Sequence, residues 1–280
     1  MAEGTVVVVQ VERAKGHRRA LARMVPAAAR PWLAITLALA WAEIRRDGSR
    51  NLAGLLWWLA DPLVNLVIYY IVFTRVFVPT VPNFLSFLLL NLMVWRWISV
   101  AVTQASSAVL TNAGLLRQIY IPKAVLVGKF VVTESAAFGI GTLLVLVTFL
   151  LDSQRLHSTL VLILPLAILS VVHIFSIGLL LGLIAPYMPD VTQILNFALR
   201  GLGIMSGIFF DPASFSGTTQ RIIYLNPWAC LLDSYRAVAL RGELPSSSRI
   251  AYVIVLTGLL LVCGVLLHNR LDRKITKALR

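Results

Sequence analysis

The sequence contains few charged residues, and acidic ones are scarcer than basic ones. Asp, Glu, Lys and Arg make up 13% of its 280 residues, with 12 acidic against 25 basic side chains, whereas soluble globular proteins average about 25% charged residues. Cysteine is nearly absent, since Cys230 and Cys263 are too few for a disulfide framework and lack the spacing of metal ligands. The shortage of charge argues against an ordinary soluble domain, and we expect both cysteines to be unpaired.

The sequence also lacks the motifs of nucleotide-binding and hydrolytic sites. The phosphate-binding pattern G-x-x-x-x-G-K-[ST] fails around Gly128-Lys129, because Lys123 stands at the first glycine position and Phe130 replaces the hydroxyl residue. No H-E-x-x-H motif, nucleophile elbow or cluster of carboxylates occurs. We therefore predict that the chain is not itself an enzyme and holds no metal, nucleotide or other cofactor of its own.

The sequence is rich instead in long apolar runs. Hydrophobic residues make up 59% of it, and about 20 consecutive apolar residues cross a bilayer. The runs predict an all-α membrane protein with six transmembrane helices, in a domain of residues 32–270 between basic tails at 1–31 and 271–280. The first tail has no signal-peptide pattern, so we expect the first span to be retained. The predicted spans are 54–77, 84–106, 124–151, 159–186, 191–210 and 250–268.

The net charge of +13 indicates contact with anionic membrane lipids rather than with nucleic acid, because the basic residues lie beside the apolar runs. Both tails are rich in Arg and Lys, and the loop between spans 2 and 3 adds Arg117 and Lys123. Positive residues accumulate on the cytoplasmic side of a membrane. We therefore predict a multi-pass protein of the plasma (inner) membrane with both termini in the cytoplasm.

Residues 32–44 form an apolar run that is too short to span a bilayer. Leu33, Leu37, Trp41 and Ile44 recur at helical spacing on one face. This pattern predicts an amphipathic interface helix along the inner membrane surface. The alternative is a buried helix of a small soluble domain.

The residues predicted to carry charge inside the membrane are Asp61, Arg96, Glu134 and Arg200. An ionised side chain at the bilayer centre costs about 2.5–3.5 kcal/mol on insertion scales, so such residues face protein or water. Arg96 and Glu134 lie at similar depths on neighbouring antiparallel spans, which leads to the hypothesis that they form an ion pair.

Arg96 also begins a polar stripe on span 2. Ser99, Thr103 and Ser106 follow it at spacings of three, four and three, and therefore share one helical face. Two interpretations remain open: a polar seam between packed helices, or the lining of a hydrophilic path.

Small residues in spans 4 and 5 predict close helix packing. Gly178 and Gly182 are four residues apart, as are Gly203 and Gly207, and such spacing lets helix backbones approach each other. Asp190 precedes span 5 and is predicted to cap it.

Two segments outside the spans are also expected to be helical. Residues 107–123 predict a short cytoplasmic helix suited to docking a soluble partner. Residues 211–249 predict a half-buried, re-entrant helical hairpin at the outer face, between spans 5 and 6. Its second helix is expected to begin at Asn226-Pro227 and to leave Asp233 and Arg236 off the apolar face of Trp228, Leu231, Leu232 and Tyr235.

Four stretches of the chain resemble the membrane subunits of ABC-2 type exporters, most of all the branch that exports O-antigen, teichoic acid or galactan. The resemblance covers about residues 32–270. It is carried by LLWWLADPLVNLVIYYIVFTRVF at 55–77, NAGLLRQIYIPKAVLVGK at 112–129, YMPDVTQIL at 187–195 and LNPWACLLDSYRAVALRGE at 225–243.

The resemblance implies a homodimeric permease that moves a lipid-linked polysaccharide and binds two copies of a separate ATPase, which would hold the ATP and Mg. The implied ATPase-coupling residues are Asn112, Leu115, Arg117, Tyr120 and Lys123. Candidates for the substrate path are Trp57, Trp58, Tyr69, Tyr70, Trp95, Arg96, Trp97, Ser99, Thr103 and Arg200. The outer gate would contain Asn226, Trp228, Tyr235 and Arg236.

Other readings keep the membrane fold and change the activity. One is an ABC-2 exporter of drugs or lipids. Another is a proton-coupled secondary transporter, with the four intramembrane charges as a relay. A membrane-embedded glycan-processing enzyme would depend on Asp152 and His157, which both lie near one outer loop.

Overall fold

The computed structural model describes residues 30–50, 57–77, 81, 83–151 and 157–278. Throughout these residues the regular secondary structure is helical and includes no β-strand. This confirms the all-helical prediction for the part of the chain that the structure describes. Most of the predicted N-terminal tail lies outside the described residues, and so does Asp152.

The helices follow one another with short connections. Two of them continue into π-helical turns, at Phe73–Phe77 and Ala237–Arg241, and Ser158–Leu162 is a 3-10 turn that leads into the next helix. The α-helices are α1 (Arg30–Arg50), α2 (Trp57–Val72), α3 (Phe84–Thr111), α4 (Ala113–Gln118), α5 (Lys123–Leu151), α6 (Ile163–Ile184), α7 (Val191–Met205), α8 (Gly217–Tyr224), α9 (Pro227–Arg236) and α10 (Ser247–Ala278).

Four helical segments are long and apolar enough to cross a membrane. They are Phe84–Gln118, Lys123–Leu150, Ser158–Ile184 and Ser247–Leu271, and they coincide with predicted spans 2, 3, 4 and 6. The helices at predicted spans 1 and 5 are shorter, with 16 residues in α2 and 15 in α7. Whether α2 and α7 also cross the bilayer stays a prediction.

Helix α3 lies at the centre of the bundle and contacts α2, α5, α6, α7 and α9. Most of its side chains between Phe84 and Val109 are buried, as this central position requires. Helix α10, which packs mainly on α6, instead presents a row of exposed apolar side chains, as a lipid-facing helix does. The buried side chains of α3 include Leu88, Leu89, Val94, Ile98, Ala101 and Ala105, and the exposed ones of α10 include Ile254, Val255, Leu259 and Val262.

Two glycines of α6 allow close contact between helices, as the sequence predicted. A Cβ atom built on Gly178 would lie 2.7 Å from the Cβ atom of Ala105 in α3 and 3.0 Å from a methyl group of Val127 in α5. Gly182 is four residues on and faces the Ala105 carbonyl oxygen at 3.4 Å. Small residues therefore bring α6 against both α3 and α5.

The expectation for the second glycine pair holds only in part. Gly203 lies in α7, where a Cβ atom would come within 2.7 Å of the Trp95 ring. Gly207 lies beyond the end of α7 with a φ of 79°, a backbone conformation that glycine adopts readily. The predicted cap of α7 is wrong as well, because the Asp190 side chain makes no capping hydrogen bond.

Helix α1 packs on α5 through Thr36 and Ala40, with Ile35 and Leu39 partly buried against the core. Thr36 and Ala40 are buried, whereas Leu37 and Trp41 are 39% and 55% exposed. The apolar face is therefore directed away from the protein, where it can lie in the membrane interface. This arrangement favours the interface-helix interpretation over a buried helix of a soluble domain.

We expect the variant Gly178→Ala to destabilise the protein, because its new methyl group overlaps with Ala105. Overpacking of this kind costs about 1–3 kcal/mol. Gly139→Ala in α5 is the matched control, since no atom lies within 4 Å of the added carbon, and alanine is the better helix former by roughly 0.5–1 kcal/mol. Thermal unfolding midpoints in mild detergent would measure the difference, and equal midpoints for the two variants would contradict the packing argument.

Candidate functional site

Three charged side chains meet inside the helical bundle. The Arg96 Nε atom lies 3.2 Å from Asp61 Oδ2, and its Nη1 atom lies 3.8 Å from Glu134 Oε2. The Gln104 side-chain amide donates a hydrogen bond of 2.9 Å to the other Glu134 oxygen. The predicted pair of Arg96 and Glu134 is thus confirmed, and Asp61 joins it from α2.

The charge cluster of Asp61, Arg96 and Glu134 is open on the α2 side. The Glu134 side chain is only 7% exposed, that of Arg96 is 21% exposed and that of Asp61 is 60% exposed. Solvent screening weakens an ion pair with an exposed partner more than one with a buried partner. The less screened ion pair, Arg96 with Glu134, therefore joins α3 to α5, and the more screened pair, Arg96 with Asp61, joins α2 to α3.

The polar stripe on α3 acts largely as a packed seam. The hydroxyl groups of Ser99 and Ser106 donate to backbone carbonyls one turn back, over 3.2 and 2.7 Å. The Thr103 hydroxyl donates to Asn196 of α7 over 3.0 Å. Of the two interpretations, these bonds favour the seam between packed helices.

The candidate path aromatics divide into packing residues and surface residues. Trp97 is buried, stacks on Phe138 with ring centroids 4.2 Å apart, and donates a hydrogen bond of 3.2 Å to Ser135. Tyr69 packs edge-on against Phe209 at 4.9 Å. Trp97 is therefore part of the protein interior in this chain.

The remaining path candidates lie at or near the surface of α2, α3 and α7. Trp58, Tyr69 and Trp95 are half-buried, whereas Tyr70 and Arg200 are exposed. The Arg200 guanidinium lies over the Phe197 ring, 5.8 Å from its centroid. Nothing is described of the Trp57 side chain.

The predicted coupling segment starts in the last residues of α3 and continues through Asn112 into the short helix α4. Asn112 interrupts the helix between α3 and α4, and its side-chain amide donates to the Ala108 carbonyl oxygen over 2.8 Å. Leu116 anchors α4 in the core, while the next residue, Arg117, is exposed. The segment therefore presents a basic surface held in place by one buried leucine.

The other predicted coupling residues differ in exposure. Leu115 is half-buried, and Tyr120 is 56% exposed. Lys123 is almost fully buried, and its Nζ atom lies 5.4 Å from the centroid of the Tyr120 ring. Of the five, Arg117 and Tyr120 thus provide most of the accessible surface.

Lys129 connects the interface helix to the coupling segment, a role that the sequence analysis missed. Its Nζ atom lies 2.9 Å from Glu43 Oε2 in α1 and 3.5 Å from Asn112 Oδ1. The side chains of Glu43 and Lys129 are both largely buried, at 12% and 7% exposed. Two features of the sequence could have indicated this contact: Lys129 lies inside an apolar span, and Glu43 lies in an apolar helix. Charges in such surroundings require partners.

Helix α9 of the outer segment is buried on every side. The Asn226 side chain accepts a hydrogen bond of 3.1 Å from the Trp228 backbone N–H and donates one of 2.8 Å to Ser206, so it caps α9 as the sequence suggested. Trp228 and Tyr235 lie in the core. Helix α9 is therefore more buried than the sequence predicted.

Arg236 is also buried, although it lies off the apolar face of α9. Its side chain is 1% exposed, and Nη1 donates to Asn91 Oδ1 over 3.2 Å and to the Gly207 carbonyl oxygen over 2.8 Å. One arginine therefore ties α9 to α3 and to the turn after α7.

Asp233 is the second buried charge of α9, and it too is buried on a side other than the apolar face. Its carboxylate pairs with Arg249 at the start of α10, with Arg241 Nη2 at 3.1 Å and with Arg236 Nη2 at 3.8 Å. Arg241 also lies 3.5 Å from Asp211. The turn after α7, α9, the π-helical turn and α10 thereby share one ionic network, which we call the outer charge network.

Tyr224 closes the outer charge network on one side. The Arg249 guanidinium stacks over its ring at 3.6 Å. Burial, reinforced by the Asp233 carboxylate, raises the pKa of Tyr224 to about 12. The phenol therefore stays neutral at physiological pH and offers Arg249 an aromatic face.

The sequence that forms these helices matches a known family. The sequence profile of the ABC-2 type transporter matches residues 35–240, which is more than half of the chain. The chain belongs to the ABC-2 type transporter family. The matched region includes the charge cluster, the coupling segment and most of the outer charge network.

Curated ABC-2 relatives extend over most of the chain. An O-antigen export system permease protein RfbA of Klebsiella pneumoniae is 26% identical over 82% of this chain and 88% of its own length. The protein of the same name from Myxococcus xanthus is 24% identical over 76% of this chain and 83% of its own length. Both relatives carry the name of a permease component of an export system.

We expect Arg96→Gln to destabilise this ABC-2 permease, because it leaves the buried Glu134 without its cation. The double variant Arg96→Gln with Glu134→Gln removes both charges and should recover much of the loss. Arg75→Gln, at an exposed arginine of the π-helical turn after α2, is the control for the loss of an arginine. Thermal midpoints and the folded fraction in gel filtration would measure this; a double variant no more stable than Arg96→Gln would contradict the pair.

We expect Asp233→Asn to be among the most destabilising isosteric substitutions in the outer segment. It keeps the shape of the side chain but removes the counter-charge of the buried Arg236, and breaking a buried pair costs about 3–5 kcal/mol. Asp211→Asn is the matched control, because Asp211 is 25% exposed, its described ion pair is with Arg241, and asparagine can still accept the hydrogen bond that Asp211 Oδ1 accepts from the Ala213 backbone N–H. Thermal unfolding would rank the two variants, and equal losses would show that Asp233 is not the centre of the network.

Proposed function

We propose that the chain is the membrane permease subunit of an ATP-driven exporter that moves a lipid-linked polysaccharide across the plasma membrane. The observation that carries the proposal is the similarity to O-antigen export permeases over most of the length of both chains. The coupling segment supports it, since Arg117 and Tyr120 form an accessible surface beside the Lys129 link to the interface helix. ATP and Mg would be bound by a separate ATPase, present in two copies.

The permease would act as a homodimer whose two copies enclose the path. Helices α2 and α7 both flank α3, and each presents charge on an exposed side, with Asp61 on α2 and Arg200 on α7. A charge at membrane depth is not stable against lipid and needs protein or water beside it. A second copy opposite these faces would give both, and the exposed Tyr70 would supply an aromatic surface on which sugars stack.

The topology that suits this function has six spans with both termini in the cytoplasm. Helices α2 and α7 would complete the four longer spans, and the outer hairpin of α8 and α9 would close the far end of the path. Its gate residues would be Asn226, Trp228, Tyr235 and Arg236, all buried in the state described. We infer that this state is closed at the outer end.

Transport would follow from the ATP cycle of the partner. A ligand shifts a conformational equilibrium only when it binds the two states with different affinity. ATP would therefore favour the closed ATPase dimer, whose movement displaces α4 and, through Lys129, the interface helix. The Arg96 cluster would keep α3 and α5 together while the loosely attached α2 shifts.

Charge reversal at Arg117 tests the coupling surface. Arg117→Glu should reduce the amount of ATPase that co-purifies with the tagged permease roughly tenfold, because a close repulsive charge replaces a complementary one. Arg221→Glu, an exposed arginine of the outer segment, is the matched control and should leave co-purification unchanged. A stoichiometric ATPase on the Arg117→Glu variant would contradict the assignment.

The cargo is tested by the lipid-linked glycan itself. Cells without the permease should accumulate the finished glycan on its lipid carrier inside the plasma membrane, and the wild-type gene should relieve this while Arg117→Glu does not. Accumulation of a drug or another lipid in place of the glycan would move the proposal to a different ABC-2 cargo. Transport driven by a proton gradient with no ATPase present would favour a secondary transporter.

A further inference from the structure

The charge cluster of Asp61, Arg96 and Glu134 contains two carboxylates and one guanidinium. Its outermost member is Asp61, whose side chain is 60% exposed. The Asp61 Oδ2 atom meets Arg96, whereas Oδ1 has the side-chain amide of Asn65 at the longer distance of 3.4 Å. A carboxylate offers about four acceptor positions, so Asp61 has room for another cationic donor on its exposed side.

Arg200 in α7 is the opposite case, an exposed cation that lacks an acidic partner. Within the part of the chain that the structure describes, it forms no ion pair, and its guanidinium lies 5.8 Å from the centroid of the Phe197 ring. Phe197 and Ile204, on the neighbouring turns of α7, are themselves 70% and 60% exposed. An ionised side chain among such apolar neighbours at membrane depth needs a partner from protein or water.

Asp61 and Arg200 lie at nearly the same depth, which can be read from two consecutive residues of α3. The Trp95 ring meets α7 at Gly203, where a Cβ atom would lie 2.7 Å from it, and Arg96 binds Asp61 of α2. Asp61 is therefore level with Gly203. Arg200 is three residues from that level, less than one helical turn of about 5.4 Å, and an arginine side chain reaches over such a distance.

The helix faces around the two charges are also unpartnered. Val64 and Ile68 follow Asp61 on one face of α2 and are 57% and 52% exposed. Gly201, next to Arg200, has no atom within 4 Å of a Cβ atom built on it. The absence of a side chain there allows a helix of another chain to approach α7 closely.

We propose that Asp61 of each copy forms an ion pair with Arg200 of the partner subunit, so that a second copy completes the charge cluster. A twofold axis along the membrane normal leaves the depth of every residue unchanged, and residue pairs across a twofold axis occur twice. Each cluster then contains two carboxylates and two cations. This inference rests on the proposed homodimer and names the contact that joins its copies, but it is independent of the cargo.

The first test removes the charge of Arg200 and measures the affinity of the dimer. Full-length copies with two fluorophores would be diluted in liposomes, and energy transfer would give the dissociation constant. We expect Arg200→Gln to raise it at least about tenfold, because an interfacial carboxylate loses its cation, and Arg200→Lys to stay near the wild type. Arg221→Gln, at an exposed arginine of α8, is the control, and thermal midpoints would verify that each variant folds.

The second test asks whether the two side chains meet between copies. One tagged copy would contain Asp61→Cys and a second, differently tagged copy Arg200→Cys, both with Cys263→Ala, since Cys263 is exposed and Cys230 is buried. A short bis-maleimide should give a covalent dimer with both tags. The control replaces Arg200→Cys with Leu259→Cys, which is exposed on α10 and should give no such dimer.

Three results would overturn the ion pair between copies. The first is a wild-type dissociation constant for Arg200→Gln, and the second is the absence of a covalent dimer that depends on the cysteine at position 200. The third is loss of glycan export by Arg200→Gln copies that dimerise normally, which would assign Arg200 to the cargo.

The outcome for the pair is separable from the outcome for the exporter. Co-purification of the ATPase depends on the surface around Arg117, so a bound ATPase together with any of these three results would sink the pair alone. A confirmed pair on a permease that binds no ATPase would instead contradict the proposed function.

Discussion

Ionised side chains inside a membrane bundle must meet opposite charge, and three sets of such contacts hold this protein together. The charge cluster around Arg96 joins α2, α3 and α5 near the middle of the bundle. Lys129 and Glu43 join α5 to the interface helix. The outer charge network around Asp233 joins α9 to α10 at the other end. Apolar packing alone would leave the register of these helices less defined, since lipid is as apolar as the helix surfaces.

The charged contacts also distinguish the rigid part of the molecule from the part that is able to move. Helices α3, α5 and α6 are in close contact through Gly178 and Gly182, and the buried Glu134 of α5 accepts a hydrogen bond from Gln104 of α3. Helix α2 is attached to them through the exposed Asp61 and a few aromatic contacts, so fewer buried groups oppose its displacement. A transport path between α2, α7 and a second copy would thus open beside a fixed centre.

The two ends of the permease are connected through the same central helices. Helix α3 carries Asn91, which binds Arg236 at the outer hairpin, and ends at Asn112, which lies next to Lys129 at the coupling segment. One well-packed helix therefore reaches from the contacts of Arg236 to those of Lys129. Such a helix would carry a displacement from the proposed coupling segment to the proposed gate.

The sequence by itself determined the membrane class and the positions of the four long apolar helices, because long apolar runs reflect the bilayer directly, and its motifs indicated the family. It also predicted the pair of Arg96 and Glu134, since depth along antiparallel helices can be read from residue numbers. Only the tertiary structure decided which face each helix buries. The burial of Asp233 and Arg236, the inward position of Trp97 and the contact of Lys129 with Glu43 all depend on helix rotation and on neighbours distant in sequence, which local periodicity does not contain.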